Sequence, residues 1–154
     1  MKVFKLVAGV ILALLVLIQL IPARLPDNDP SLDQDMIRTE QVAEEEARLL
    51  RAACYDCHSN QTVYPWYSYV APVSWLVIRD VKLGRETANY SEWGKLDRAN
   101  RIKLLTETAE EIESGSMPMP IYAAIHPEAR LSDDQRQVLI AWTEAQIEKI
   151  LEDD

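Results

Sequence analysis

The sequence predicts an all-α protein, with an N-terminal transmembrane anchor followed by a bundle of about four helices. Three observations favour helices over strands. The chain of 154 residues holds only four Gly, whereas Ala, Leu, Glu and Arg, which are good helix formers, are common. Apolar side chains recur at helical spacing in several segments, and no segment alternates convincingly between apolar and polar residues.

Residues 1–24 are predicted to form the anchor. The run from Leu6 to Ile21 has Gln19 as its only polar side chain. Counted from Val3, it makes roughly 28 Å of helix, which is just enough to cross a bilayer. A cleaved signal peptide is the alternative, but the candidate cleavage site Ile21-Pro22-Ala23 has a large residue where a small one is required. An uncleaved anchor is therefore the preferred interpretation.

The charges on either side of this segment predict its orientation. Lys2 and Lys5 precede the apolar run, whereas four Asp follow it within residues 25–40. Because positively charged residues stay on the cytoplasmic side, we expect the N-terminus in the cytoplasm and the rest of the chain in the periplasm. The protein would then cross the cytoplasmic membrane once.

Residues 25–40 are expected to form a solvated tether, because residues 22–35 combine three Pro with four Asp. The folded domain is expected at residues 41–154. The chain carries a formal net charge of −9 and has a pI of about 4.7. This acidity excludes nucleic acid as a partner, because phosphate binding needs a basic face.

Four helices are predicted in the domain, and loops rich in Pro, Gly and polar residues separate them. Local signals mark their ends: Pro72 for a first turn, Gly84 and Gly115 for helix stops, and a capping box of Ser132 with Gln135. The predicted helices are Gln41–Ala53, which runs directly into Cys54, then Pro72–Gly84, Asp97–Ser114 and a last helix that begins at Ser132.

The only two cysteines of the chain, Cys54 and Cys57, are followed directly by His58. The spacing C-x-x-C-H is typical of covalent attachment of a c-type haem. Cysteines three apart on a helical turn present both sulfurs on one side, where they can meet the two vinyl groups of one porphyrin. The adjacent His58 would then reach the iron as its proximal axial ligand.

Other uses of this cluster are a redox dithiol, a zinc site and a structural disulfide. A C-x-x-C dithiol normally follows a strand in a βαβ unit, whereas this motif follows a predicted helix. Zinc needs four ligands, and His126 is the only other histidine. A disulfide between Cys54 and Cys57 would close a small, strained loop of little stabilising value. The complete pentapeptide in an exported context favours haem.

The second axial ligand of the iron is expected to be a Met sulfur or a His nitrogen. Met117 is preferred because it lies between a helix stop and a proline, in a loop where a core-filling methionine is out of place. Met119, His126 and Met36 are the other candidates. Ordinary core packing is the alternative role of the methionines.

An aromatic segment follows the motif and is a candidate wall for the haem. Trp N–H and Tyr O–H groups combine an apolar body with a donor for the propionates, and Trp66 and Trp75 are predicted to bind the cofactor in this way. Ordinary core packing is the alternative. Arg79 and Arg85 are candidate partners of the propionates. The aromatic residues of the segment are Tyr64, Trp66, Tyr67, Tyr69 and Trp75.

Three blocks of the sequence resemble the bacterial haem-binding domain proteins, which are small membrane-anchored or exported proteins with one c-type haem. The resemblance implies a haem c attached at Cys54 and Cys57. It also implies His58 as proximal ligand and Met117 as distal ligand, since the family does not require Met at the position of Met119. The blocks are IQLIPARLPDNDP at 18–30, CYDCHSNQTVYPWYSYVAPVSWL at 54–76 and MPMPIYAAIHPEARLSDDQ at 117–135.

The expected function is that of a membrane-tethered monohaem c-type cytochrome, with a c-type cytochrome-like helical bundle. It would transfer single electrons in the periplasm, and His–Met ligation would leave no open iron position for a substrate. No catalytic constellation is seen in the sequence, so an enzyme is not expected. The alternatives are a haem-based sensor or ligand-binding module with a displaceable sixth ligand, and a peroxidase that uses His126 as its distal residue. The sequence does not identify redox partner proteins.

Overall fold

The structure is a computed structural model that describes residues 1–152. Over these residues it is all-helical, with 71% of the chain in helices and no strand, which confirms the predicted fold class. Asp153 and Asp154, the last residues of the predicted domain 41–154, lie outside the described residues. A single N-terminal helix precedes a bundle of packed helices.

The N-terminal helix, α1, spans Lys2–Leu17 and continues as a 3₁₀ turn over Ile18–Leu20. None of its residues is buried. The 19 residues Lys2–Leu20, with a mean hydropathy of 2.6, are long and apolar enough to cross a membrane. A signal sequence near the N-terminus has the same properties, so this helix agrees with the predicted anchor and with its alternative.

A short helix, α2 at Met36–Thr39, lies at the end of the predicted tether. Its N-cap is Asp35, whose Oδ1 accepts from the backbone N–H of Ile37 at 3.1 Å. The side chain of Met36 is fully buried in the core. Helix α2 therefore packs into the core although it lies within residues 25–40, and the domain boundary at residue 41 stays a prediction.

The C-x-x-C-H motif lies at the end of one continuous helical rod. The rod comprises α3 at Glu44–Leu50, a π-helical turn at Arg51–Tyr55 and α4 at Asp56–His58. It begins after the predicted start, because Gln41 has a φ of 51°, a left-handed conformation that does not belong to a helix. The π turn contains the first cysteine of the motif, and such turns are frequent at functional sites.

Helix α5 spans Val73–Thr87 and packs on α4. The predicted helix stop at Gly84 is wrong, because this glycine is buried inside the helix. A Cβ added to Gly84 would lie 2.5 Å from the carbonyl oxygen of Cys57. Glycine is required here because two backbones approach each other closely, not because the helix ends.

Helix α6 agrees closely with its predicted signals. It spans Arg98–Glu113 and is capped by Asp97, whose Oδ1 accepts from the N–H of Asn100 at 2.8 Å. The chain turns away at Gly115, where φ is +74°. This left-handed conformation is the one that favours glycine after a helix.

Two further helices complete the described chain: α7 at Pro120–Ile125 and α8 at Asp133–Glu152. The predicted capping box starts α8. The N–H of Gln135 donates to Oγ of Ser132 at 3.2 Å, and the N–H of Ser132 donates to Oε1 of Gln135 at 2.9 Å. Short 3₁₀ turns connect the helices at Trp66–Tyr69, Tyr90–Lys95 and Pro127–Ala129.

The core lies where α6 packs along α8 and α3 packs on α8. Apolar stripes of these helices meet there, together with α2 and the 3₁₀ turn at Tyr90–Lys95. The packing thus joins the first and the last helix of the domain around one core. Its most completely buried large side chains are Met36, Leu49, Leu50, Trp93, Leu105, Ile112 and Leu139.

Glu40 links α2 to α8. Its carboxylate accepts from Nε1 of Trp93 at 2.7 Å and from Nζ of Lys149 at 3.0 Å. Burial raises the pKa of this carboxyl, but the hydrogen bonds from Trp93 and Lys149, together with the positive charges of Lys149 and Arg101, more than offset burial, so that the pKa lies below its usual value of 4.5. The fold therefore stabilises the ionised form.

We predict that Glu40→Gln lowers the free energy of unfolding by about 1–3 kcal/mol, because it removes hydrogen bonds to an ionised acceptor. In the wild type this stabilisation should be complete above pH 4.5 and should be lost as the pH falls through the lower folded-state pKa. Urea unfolding over a series of pH values measures both effects.

The control for this prediction is Glu92→Gln, which removes an exposed ion pair with Lys95 at 3.2 Å. It should change the free energy of unfolding by less than about 0.5 kcal/mol. Equal losses in the two variants, or a loss in Glu40→Gln that persists at low pH, would contradict the role given to Glu40.

We predict that Gly84→Ala lowers the free energy of unfolding by about 1–3 kcal/mol, although Ala is the better helix former, because its methyl group overlaps the backbone of Cys57. Thermal unfolding followed by circular dichroism measures the change. Glu86→Ala, at an exposed position of the same helix, is the matched control and should not destabilise the protein. A neutral Gly84→Ala would show that the two backbones have room to separate.

Candidate functional site

The cysteines and the histidine of the motif line one cavity of about 350 Å³. Cys54 and Cys57 are half-buried free thiols. Burial, with a smaller contribution from Cys57, raises the pKa of Cys54 to about 12. Burial, with contributions from Asp56 and Asp80, raises the pKa of Cys57 to about 11. The surroundings of both sulfurs therefore favour an uncharged form, either the thiol or a thioether, over a thiolate.

The imidazole of His58 is held in one tautomer by the backbone. Its Nδ1 lies 3.1 Å from the carbonyl oxygen of Ala88, directly after α5. Because a carbonyl only accepts, Nδ1 carries the proton of the neutral ring and Nε2 keeps a lone pair. Burial lowers the pKa of His58 below its usual value of 6.5, although hydrogen bonds to the backbone of Ala88 and Gly84 oppose this shift. Metal-binding histidines are oriented in the same way.

The walls of the cavity come from the motif, the second half of α5, α6 and the segment after α6. Most of the lining is apolar, and the volume falls within the range of small-molecule and cofactor sites. The packing of these elements thus leaves the cavity beside the motif. Besides the motif, its lining includes Leu83, Thr87, Tyr90, Leu104, Glu107, Thr108, Ile112, Met117, Met119 and Tyr122.

Met117 and Met119 are both half-buried and line the same cavity as His58. The backbone of Met117 is held at two points. Its N–H donates to the carbonyl oxygen of Glu111 at 3.0 Å, and its own carbonyl accepts from Nη1 of Arg136 at 3.3 Å. These bonds fix the main chain while leaving the thioether sulfur of Met117 unused.

The other candidate ligands, Met36 and His126, lie elsewhere. Met36 is fully buried in the core. His126 lines a second cavity, of about 120 Å³. Its Nε2 contacts the hydroxyl of Tyr67, its Nδ1 lies 3.1 Å from a carboxylate oxygen of Glu128, and its ring stacks on Tyr122. A distal role for His126 in a peroxidase therefore gains no support from its position.

The structure does not bring Trp66 and Trp75 to the cavity. Neither residue lines it, and their exposed fractions are 77% and 36%. The cavity is built by the second half of α5, whereas Trp75 lies in the first turn of that helix and Trp66 precedes it. The two indoles thus lie on the surface rather than against the site.

Tyr90 and Tyr122 are the aromatic residues that line the cavity, and sequence reasoning missed both. The ring of Tyr90 lies 6.0 Å from that of His58, and its hydroxyl is 3.0 Å from Oγ1 of Thr108. The hydroxyl of Tyr122 donates to Oδ2 of Asp56 at 2.7 Å. Because Asp56 is a spacer residue of the motif, this bond ties the segment after α6 to the motif.

Sequence reasoning also missed the roles of Gly84 and Ala88. A glycine inside a helical pattern can indicate a close backbone contact, and that signal was present at Gly84. It was outweighed by the use of glycine at helix ends. Ala88 contacts His58 only through its backbone carbonyl oxygen. Every residue type has this carbonyl, so the sequence does not indicate the contact.

The two arginines proposed as propionate partners differ in position. Arg79 lines the cavity, where its guanidinium pairs with Asp80 at 2.7 Å. Arg85 instead holds the tether against the loop that follows the motif, so only Arg79 is placed to meet a group in the cavity. The acceptors of Arg85 are the carbonyl oxygens of Asp27 and Ser59, Oδ1 of Asn28 and Oγ1 of Thr62.

The residues at the cavity fit a haem better than the alternatives. A redox dithiol needs a lowered thiol pKa, whereas both thiols here have a raised one. Among residues 1–152, no group of three or more His, Cys, Asp or Glu side chains is arranged to hold a metal ion, so a zinc site gains no support. A lone pair on an oriented imidazole and two thioethers, around one apolar cavity, match the ligands that haem iron uses.

Comparison with known proteins agrees with this geometry. No curated protein and no solved structure matches the chain. A family model described as a haem-binding domain matches residues 13–145. The matched range contains the motif, both cavity methionines and every helix that lines the cavity. The chain belongs to the haem-binding domain family.

Proposed function

We propose that this protein is a membrane-tethered monohaem c-type cytochrome that transfers single electrons in the periplasm. Haem binding follows from its family. The observation that supports the finer assignment is the shared cavity, which is lined by two thiols, an oriented imidazole and two methionines. The bound haem would supply reversible one-electron chemistry at its iron, and the residues of this chain would hold, orient and shield it.

Cys54 and Cys57 would hold the haem covalently. Each thiol would form a C–S bond to one vinyl carbon of the haem, and the hydrogen of its broken S–H bond would go to the other vinyl carbon. The addition is balanced without an oxidant or a reductant. The contact of Cys57 with Gly84 fixes the backbone that carries the second sulfur.

His58 would bind the iron through Nε2, because its Nδ1 is engaged by Ala88. Met117 would supply the second bond to the iron, and it is preferred to Met119 because its backbone is held at both its N–H and its carbonyl. Two protein ligands leave no position for a substrate, and His–Met ligation raises the reduction potential relative to two histidines. This ligation supports an electron carrier rather than an enzyme.

The anchor would remain attached to the domain. The side-chain amide of Gln19 pairs with both backbone groups of Ala71. Nε2 of Gln19 donates to the carbonyl oxygen of Ala71 at 2.9 Å, and the N–H of Ala71 donates to Oε1 of Gln19 at 3.0 Å. A segment removed during export has no need of such a contact with the mature domain. Lys2 and Lys5 before the span would place the N-terminus in the cytoplasm and the domain in the periplasm.

We predict that the full chain, produced with a haem c maturation system, carries a haem that resists acid–solvent extraction. Its ferric absorption spectrum should show a sulfur-to-iron charge-transfer band, because a thioether binds the iron. Met117→Ala should abolish that band and leave the covalent haem in place.

Met119→Ala is the matched control, since both methionines line the cavity, and it should keep the band. Loss of the band in Met119→Ala alone would assign the ligand to Met119. A colourless protein with two titratable thiols would refute the covalent haem altogether.

A haem-based sensor is the second candidate function. Met117 lies in a loop between α6 and α7 rather than in a helix, and a loop ligand is more easily displaced. The two functions differ in how firmly the sixth position of the iron is held.

Carbon monoxide binding to the reduced protein separates these functions. We predict weak binding in the wild type and much tighter binding in Met117→Ala, because the variant opens the sixth position. Difference spectra during titration measure both affinities. Tight binding in both proteins would favour the sensor over the electron carrier.

A further inference from the structure

Residues 63–78 expose apolar side chains on the surface of the domain. None of these residues is charged, although 27% of the chain is charged. Trp66 is 77% exposed and Tyr69 is 67% exposed. The 3₁₀ turn at Trp66–Tyr69 packs on α5, whose first two turns also expose apolar side chains. We call the exposed side chains of Val63, Trp66, Tyr69, Val73, Trp75 and Leu76 the apolar face.

The apolar face lies where the membrane helix meets the domain. Ala71, which pairs through both backbone groups with the amide of Gln19, stands in the middle of the segment that forms the face. Gln19 belongs to the last turn of the 19-residue apolar helix Lys2–Leu20. The two hydrogen bonds therefore fix the face next to the end of the span.

The apolar surface continues onto α7. Ile121 is 69% exposed and Ile125 is 59% exposed. These two residues line the second cavity together with Val73 and Leu76 of α5, and most of its lining is apolar. Residues 114–127 are also uncharged. Two segments without Asp, Glu, Lys or Arg thus meet at the second cavity, and apolar residues grouped in this way mark an interaction surface.

We propose that the lipid bilayer covers the apolar face, so that the haem domain lies on the membrane surface instead of moving freely on a tether. This inference rests on the proposed membrane anchor. Trp and Tyr favour the membrane interface, where the ring is apolar and the N–H or O–H remains hydrated. Gln19 joins the apolar face to the end of the proposed membrane-spanning helix. The bilayer that surrounds this helix therefore also reaches the apolar face.

Charge supports an apolar contact with lipid rather than an electrostatic one. A chain with a net charge of −9 is repelled by anionic headgroups, and the face presents no carboxylate to them. A second copy of the chain is the competing occupant. It does not account for the position of the face beside the membrane helix, whereas a bilayer does.

Photo-crosslinking in the full, haem-loaded chain tests this proposal. The photoreactive residue p-benzoylphenylalanine replaces Trp66 or Tyr69 in the face, Leu12 in α1, or Glu144, which is exposed on α8. Each protein is reconstituted in phosphatidylcholine nanodiscs and irradiated, and phospholipid adducts are quantified by mass spectrometry. We expect adduct yields at Trp66 and Tyr69 several-fold above the yield at Glu144 and approaching the yield at Leu12.

Three results would overturn the proposal, and they are distinguishable. Adducts at Leu12 with only the Glu144 background at Trp66 and Tyr69 would remove the lipid contact and leave the anchor intact. Crosslinked dimers at Trp66 in place of lipid adducts would assign the face to a second copy. No lipid adduct at Leu12 would overturn the anchor and the lipid contact together. The absorption spectrum of the same samples reports the covalent haem independently.

Discussion

The contact between the end of α5 and the motif determines the geometry of the site. At Gly84 the two backbones approach so closely that a Cβ would lie 2.5 Å from the carbonyl oxygen of Cys57. One turn later, Ala88 offers its carbonyl to the imidazole of His58. A single helix end therefore sets the position of the second sulfur and the tautomer of the histidine. Both are properties of the folded chain, and so the chain alone orients the imidazole in the way that histidines of metal sites are oriented.

Polar bonds around this contact keep the cavity itself apolar. Asp56 accepts from the hydroxyl of Tyr122 at 2.7 Å and from the N–H of Val63 at 2.9 Å, and Arg85 holds the tether against the loop after the motif. Since these groups satisfy one another at the edge of the site, few polar atoms need to face the cavity. Burial of a haem in such surroundings is one of the means by which a protein sets its reduction potential.

The sequence was sufficient wherever one residue type has one local meaning. The capping box at Ser132 and the helical class of the fold were predictable in this way. The sequence was insufficient where the role of a residue depends on which part of the fold packs against it. Gly84 marks a helix end in one setting and a backbone contact in another, and Trp66 is equally suited to a cavity wall and to an exposed face. The motif and Met117 were predicted together because their chemistry specifies a common cofactor, and they line one cavity. Nothing in the sequence indicated that Tyr90 lines this cavity.

The cavity beside the motif adjoins the second cavity, which reaches the apolar face. Cys57, Met119 and Tyr122 line both of them, so one side of a haem attached at Cys57 would lie close to the surface proposed to contact lipid. The Gln19–Ala71 pair would then fix the haem relative to the membrane, because it joins the span to the segment that carries the face. An electron carrier held in this way would meet its partners in a restricted set of orientations, and the membrane rather than the tether would set that restriction.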